Sequence, residues 1–277
     1  MRYWLALCLL SGVARADDPR AETLAARADA LWAASCPVPE RDGLCVRVVA
    51  FVPSRPATRC GPEHADRLVA VPRDVRQVKA ALDALAEAAR ADPGNAVHYR
   101  QLAHVRATDL AVEHAPALVV PADHSLPHER MWLHDAEWSV RRFAHDYWRH
   151  IDDPSDDTAV EVDQRIGRLY EQLATQLFAV PLPEDLRVGP GAPDRLDAFC
   201  DAIADFATAA VENARTSYLN CLHRAARLDV ADDAARVCQH ALERIDPEHY
   251  PPGGELLHVP PPAPVVVPEG PTSSSTR

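Results

Sequence analysis

Lysine is almost missing from this chain: of its 29 basic residues only Lys79 is lysine, and the rest are arginine. Together with the abundance of alanine this reads as a compositional bias, and no mechanism follows from it. Glycine is scarce as well, ten in 277 residues. Neither a phosphate-cradling glycine loop nor a Gly-x-Ser-x-Gly nucleophile elbow occurs. Positive charge is outweighed, leaving a formal net charge of -12. That balance argues against nucleic acid and against an anionic lipid surface as partners, and is compatible with a basic or neutral protein. Beyond the first sixteen residues no apolar run approaches the roughly 20 residues that span a bilayer, so no transmembrane segment is predicted.

What is present begins at the first residues. Met1-Arg2-Tyr3-Trp4 opens a short apolar stretch that ends in Ala14-Arg15-Ala16, the layout of a signal peptide with an Ala-x-Ala site. Cleavage is expected before Asp17. Loss of Arg2 and Arg15 would take the charge from -12 to -14. Cys8 lies inside the apolar stretch behind Leu7 rather than in a lipoprotein site, and is expected to leave with the signal. The remainder is predicted to be periplasmic or secreted.

Six cysteines remain, in two clusters of three: Cys36, Cys45 and Cys60, then Cys200, Cys221 and Cys238. Three is odd, so full pairing requires at least one bridge between the clusters. Export makes full pairing intelligible, because disulfides persist outside the cytosol. Fifteen pairings are possible. Cys221 and Cys238 sit at similar distances from a turn near Val230 and are the favoured pair, which leaves Cys200 to reach one of the first three.

Between Asp17 and Asp246 the pattern is helix after helix, one disulfide-tied body of residues 17–246. Pro19 starts a helix whose face carries Leu24, Ala28, Leu31 and Ser35. Asp74 caps a second, with Val75, Val78, Leu82, Leu85 and Ala89 in register, stopped by Pro93-Gly94. A third runs from Asn95 to Glu113. Leu133, Ala136, Val140, Phe143, Tyr147 and Ile151 form the seam of a fourth, opposite Glu137, Arg141, His145 and Arg149. Val162, Ile166, Leu169, Leu173 and Leu177 mark a fifth, ended by Pro181 and Pro183. After a Pro/Gly-rich loop, a long helix, whole or split, is predicted from Asp194 to Leu228, then a last one from Asp232 to Ile245. Only Leu44–Val52 and Arg67–Val71, rich in valine, read as strands. The fold class is all-α: a disulfide-stapled helical bundle with a small β-ribbon at about 44–72. From Pro247 onward nine prolines and Ser273-Ser274-Ser275 predict an extended, disordered tail over 247–277, a spacer or a docking segment.

Ala91-Asp92-Pro93-Gly94-Asn95, followed by Leu102-Ala103, has the form of a junction between tetratricopeptide repeats. An ordinary helical hairpin explains it about as well, since no second copy follows. A wider series of motifs carries a likeness. Cys36-Pro37-Val38-Pro39, Leu44-Cys45-Val46 and Arg59-Cys60-Gly61-Pro62 are followed by Arg165-Ile166-Gly167-Arg168-Leu169-Tyr170 and Phe178-Ala179-Val180-Pro181. Phe199-Cys200-Asp201, Asn220-Cys221-Leu222, Arg236-Val237-Cys238 and Ile245-Asp246-Pro247 then close the series. In this order they resemble the cysteine-containing helical region that ends exported tetratricopeptide-repeat proteins of gliding delta-proteobacteria. The resemblance implies an envelope location and a part in protein-protein assembly, with an envelope protein as partner, and supplies no catalytic residue.

Candidate chemistry is thin. Thirteen histidines invite a metal-site reading, foremost His134, Glu137 and His145, with His128 and His150 nearby. The six-residue step from His128 to His134 is not that of a His-Glu-x-x-His zinc site. Arg141 between His134 and His145 favours a solvated ion-pair face, so no metal and no cofactor are predicted. A metal-dependent enzyme on residues 128–150 stands as the alternative. Asp152-Asp153 and Asp156-Asp157 read as caps and solubilising charge around Pro154-Ser155. Trp132, Trp138 and Trp148 fall on one helix, either as packing residues or as anchors for a partner or a glycan. The functional expectation is a non-catalytic scaffold or protein-interaction module of the envelope. A link to a surface or motility machinery is open, and a cell-wall or glycan binder is a further alternative.

Overall fold

The computed structural model describes residues 18–40, 44–49, 60–61, 67–115, 126–151, 157–230 and 233–252. The expected signal peptide and the tail beyond residue 252 lie outside this range. Within it the protein is all-α with one two-stranded ribbon. The elements are α1 (Pro19–Ser35), β1 (Val46–Val49), β2 (Arg67–Ala70), α2 (Val75–Ala91), α3 (Ala96–Glu113), α4 (Leu126–Trp148), α5 (Thr158–Phe178), α6 (Glu184–Arg187), α7 (Ala192–Leu228) and α8 (Asp233–Ile245).

Local chemistry sets most of the boundaries. The Asp18 carboxylate accepts from the Arg20 amide at 2.8 Å, with Pro19 in the first turn of α1. Asp74 does the same for Arg76 and Gln77 at the start of α2. These caps satisfy amides that have no partner within their own helix. At the α2–α3 turn Asp92 accepts from the amide of Gly94 and the side chain of Asn95, at 2.9 and 2.7 Å. The ribbon is antiparallel with Val46 opposite Ala70, and shorter at both strands than the valine-rich runs suggest.

Three elements differ from the sequence reading or sharpen it. The Pro/Gly-rich loop contains the short helix α6, whose Leu186 is 4 % exposed and packs into the core. Helix α7 takes the unsplit alternative and starts two residues earlier: it runs unbroken for 37 residues, about 55 Å at 1.5 Å per residue. It begins at Ala192 because Gly191, at φ 68°, turns the chain in a left-handed conformation that favours glycine. At its other end Asp229 stops the helix at φ 55°. Helix α4 begins at Leu126, about two turns before its apolar seam starts at Leu133.

The packing falls into two connected halves. Alanine allows α1 and α2 to pack closely: Ala21, Ala28, Ala84 and Ala88 are buried with Leu85 and Tyr99 of α3. The other half is built on α5 against α7, with α8 folded back along the end of α7. Here Leu173, Leu177, Phe199 and Ile203 share a core with Leu133 and Ala136 of α4. Burying each of these larger side chains stabilises the fold by about 1.5 to 3 kcal/mol. Gly167 marks the closest approach of α5 to α7. A Cβ there would sit 2.6 Å from the Tyr218 ring, so a mid-helix glycine that costs about 1 kcal/mol in propensity is required by packing.

The halves meet through α4, which contacts α3, α5 and α7, and through one of three disulfides, Cys60–Cys200. Cys36 is bonded to Cys45, Cys60 to Cys200, and Cys221 to Cys238. The first joins the end of α1 to the ribbon. The second carries the segment between the strands across to α7, where the Gly61 amide also donates to the Phe178 carbonyl at 2.8 Å. The third closes the α7–α8 hairpin.

Candidate functional site

Most of the residues singled out in the sequence lie on α4, and the helix separates them. His134 and His145 share a face but are eleven residues apart on a continuous helix, about 16 Å along the axis. They cannot bind one ion together. Glu137 is engaged by Arg141 at 2.7 Å, with the His134 Nδ1 at 3.9 Å. The other edge of the His134 ring meets Phe206 of α7 at a centroid distance of 5.2 Å. His150 packs edge-on against His104 at 4.1 Å, and the His104 Nε2 lies 2.6 Å from the Asp146 carbonyl. Burial lowers the pKa of His104 and thereby favours its neutral ring. The side chain of His128 and residues Asp152, Asp153 and Asp156 fall outside what is described. Asp157 occupies the cap position of α5 without bonding its amides, and its carboxylate faces His98 at 3.2 Å. Among the described residues no group of three His, Cys, Asp or Glu side chains could hold a metal ion.

The three tryptophans point three ways. Trp132 packs partly against the α5–α7 core. Trp148 leans on Tyr147 and its neighbours, with the Arg224 guanidinium 5.0 Å from its ring centre. Trp138 alone is turned outward, 61 % exposed, with Arg142 at 5.9 Å from its ring centre. Met131 is exposed too, at 56 %. It precedes Trp138 by two helical turns, so both lie on one outward stripe, which continues to exposed His145.

The described residues also hold a set of buried charges that no spacing in the sequence reveals. The first cluster joins the ribbon to α1 and α3. Arg73 Nε donates to both oxygens of Glu113, at 3.1 and 3.0 Å, while one terminal nitrogen donates to the Trp32 carbonyl, Ser35 Oγ and Glu40. Glu113 also accepts from the Cys45 amide at 2.6 Å. The guanidinium of Arg73 lies 4.2 Å from the centre of the Trp32 ring, and that of Arg106, paired with Asp29, lies 5.4 Å from it. Burial alone would lower the pKa of Arg73, but hydrogen bonds to Glu113 and Glu40 outweigh it and hold it above its ordinary value.

The second cluster centres on Asp109 of α3. It accepts from Arg165 of α5 at 3.0 Å and from the Tyr147 hydroxyl of α4 at 2.5 Å. Burial, reinforced by that carboxylate, pushes the Tyr147 phenol far above its usual range. Arg165 also binds Glu161 at 3.0 Å. The third cluster pairs Asp163 with Arg224 at 3.0 Å. On the far side Tyr218 donates to Glu171 at 2.9 Å, and Glu171 takes Arg244 at 2.6 Å.

Asp163 gives this set of charges a pH dependence. Burial, only partly offset by Arg224, pushes its pKa from 3.8 up to about 6. The folded state therefore holds this proton more tightly than the unfolded one. The resulting stabilisation is fully present below about pH 4 and is lost as the pH rises through 6, a change of about 2 to 3 kcal/mol. Denaturation midpoints of the wild type and Asp163→Asn between pH 4 and 7 check this. The wild type is expected to lose stability relative to the variant across that window, and parallel curves would disprove it.

Sequence reasoning passed over Trp32, Arg73, Glu113, Asp109 and Arg165. For Trp32 a signal existed: it falls four residues after Ala28 and three before Ser35, on the buried face of α1. For the charged residues there was none, because a charge on a helix is by default assigned to solvent. What the arrangement offers chemically is rigidity and one outward aromatic stripe. All six cysteines in the described range are bonded and present no thiolate. No helix of the described residues is long and apolar enough to cross a membrane. No protein-family model, no curated protein and no solved structure matches this chain.

Proposed function

We propose that the protein is a non-catalytic, exported component of the cell envelope that binds another protein through the outer face of α4. The observation that carries this reading is the stripe of Met131 and Trp138, two large side chains more than half exposed on a helix whose opposite side is locked into the core. Tryptophan is enriched among the residues that dominate binding energy, and its exposure has no role in the fold itself. Arg142 beside the ring adds a cation at the rim, suited to an acidic group on the partner. The disulfides support an oxidising compartment, which fits the leader-like first sixteen residues. The likeness to envelope tetratricopeptide-repeat proteins supports an assembly role, and the α2–α3 hairpin is the part that would correspond to a repeat unit.

A photoreactive residue placed at position 138 of the full chain in its native envelope tests the proposal, with position 236 on α8 as the control face. A protein adduct from 138 and none from 236 is expected. Trp138→Ala should weaken binding to the captured protein by about 30-fold or more, corresponding to a hot-spot residue, without changing the folding midpoint. Absence of a protein adduct from 138 would overturn the reading. Retention on purified peptidoglycan that disappears with Trp138→Ala would instead mark a glycan binder.

A further inference from the structure

Arg168 lies in the middle of α5 and is 4 % exposed, yet none of its three guanidinium nitrogens has a hydrogen-bond acceptor among the described residues. Every other charged side chain of α5 is matched. Arg165 has Asp109 and Glu161, Asp163 has Arg224, and Glu171 has Arg244. Leaving a buried charge without a partner is among the most costly arrangements a fold can contain, and an apolar side chain of similar volume would avoid it.

The surroundings define what would complete the site. Arg168 adjoins Gly167, where Tyr218 of α7 packs onto the α5 backbone. Its charge acts on the phenols of both Tyr218 and Tyr147. Both hydroxyl hydrogens are already committed, to Glu171 and Asp109 respectively. The neighbouring carboxylates are likewise taken, and Glu161, at 35 % exposure, is solvated and turned to Arg165. Buried Gln164, one turn earlier on α5, does not reach the guanidinium. Arg165 and Arg244 act on the same phenols but are paired with Asp109, Glu161 and Glu171, so the site offers one guanidinium whose fork of N–H donors is unfilled. That is a match for one negative charge rather than two. The three nitrogens are all shielded from solvent, which restricts the occupant to a small ion that enters when the helices breathe.

We infer that Arg168 is the receptor of a buried small monovalent anion, halide-sized, held between α4, α5 and α7. Because the ion binds only the folded chain, it stabilises by mass action. The inference is independent of the α4 surface and of any partner.

Thermal unfolding of the purified chain at constant ionic strength, exchanging chloride for the bulky monovalent gluconate, reads the site. The midpoint is expected to rise by about 3 to 5 °C for each tenfold increase in chloride above its dissociation constant. Sulfate at matched ionic strength reports the nonspecific salt effect. Arg168→Met should unfold at a midpoint independent of chloride and no lower than that of the chloride-free wild type. Crystals of the wild type grown in bromide should show an anomalous peak against the Arg168 guanidinium, a result that does not depend on any variant folding. A wild-type midpoint indifferent to chloride, an Arg168→Met protein with the same chloride response, or a water molecule in place of bromide would each overturn the inference.

Discussion

Replacing Cys60 and Cys200 together by alanine is expected to destabilise the folded chain by about 5 kcal/mol, more than removal of either other disulfide. The three bridges close loops that follow one another without overlap: 9 residues apart for Cys36–Cys45, 140 for Cys60–Cys200 and 17 for Cys221–Cys238. In the chain-entropy treatment the stabilisation grows with the logarithm of loop length, giving about 5 kcal/mol for the long loop and about 3 for each short one. Because the loops are disjoint, each restricts a different part of the unfolded chain, and their effects should add. The long bridge has a further role, since it brings the segment between the strands to α7 and seats Gly61 on the Phe178 carbonyl. Denaturant midpoints of the three paired Cys→Ala variants check the ranking. Equal losses for all three would show that native packing, and not loop closure, sets their worth. A 5 kcal/mol loss is also a third or more of the stability of a typical domain, so this variant should unfold well below the others on heating.

That bridge shows how far the sequence could be read and where it stopped. Parity alone required a bond between the clusters, and the position of Cys221 and Cys238 either side of a turn left Cys200 as its natural end. Nothing in the spacing chose among Cys36, Cys45 and Cys60 for the other end. That choice depends on the ribbon, in which Val71 donates to the Cys45 carbonyl and Cys45 is drawn to the end of α1. The helices were legible because apolar periodicity and start and stop residues agree, as at Pro19, Asp74 and Pro93-Gly94. Helix α6 was hidden because four residues are too few to show a period. On α4 the sequence left Trp132, Trp138 and Trp148 open between packing and anchoring, and steps of six and ten residues rotate the indoles onto different sides, Trp132 and Trp148 packed and Trp138 outward. The buried charges were illegible for a deeper reason. Asp109 and Arg165 are 56 residues apart, and only the packing of α3 on α5 makes either of them a core residue.

Glu113→Ala is expected to destabilise the protein by about 3 to 5 kcal/mol, the range for breaking a buried ion pair from one side. The loss is large because of what is left behind. Arg73, with 1 % of its side chain exposed, would keep its charge without its principal partner. The Cys45 amide would lose the acceptor that now lies at 2.6 Å. Glu113→Gln keeps a carbonyl oxygen in place but removes the charge, and should lose less. The informative comparison is the double variant Arg73→Met with Glu113→Leu. Replacing both partners of a buried pair by apolar groups is often neutral or stabilising, so it should recover most of the loss caused by Glu113→Ala. A double-mutant cycle built on urea midpoints measures the coupling between the two. If the double variant is instead as unstable as the single one, the pair is needed for its geometry. In that case Arg73, which also holds the Trp32 carbonyl and Ser35, is the connection that orders the ribbon against α1.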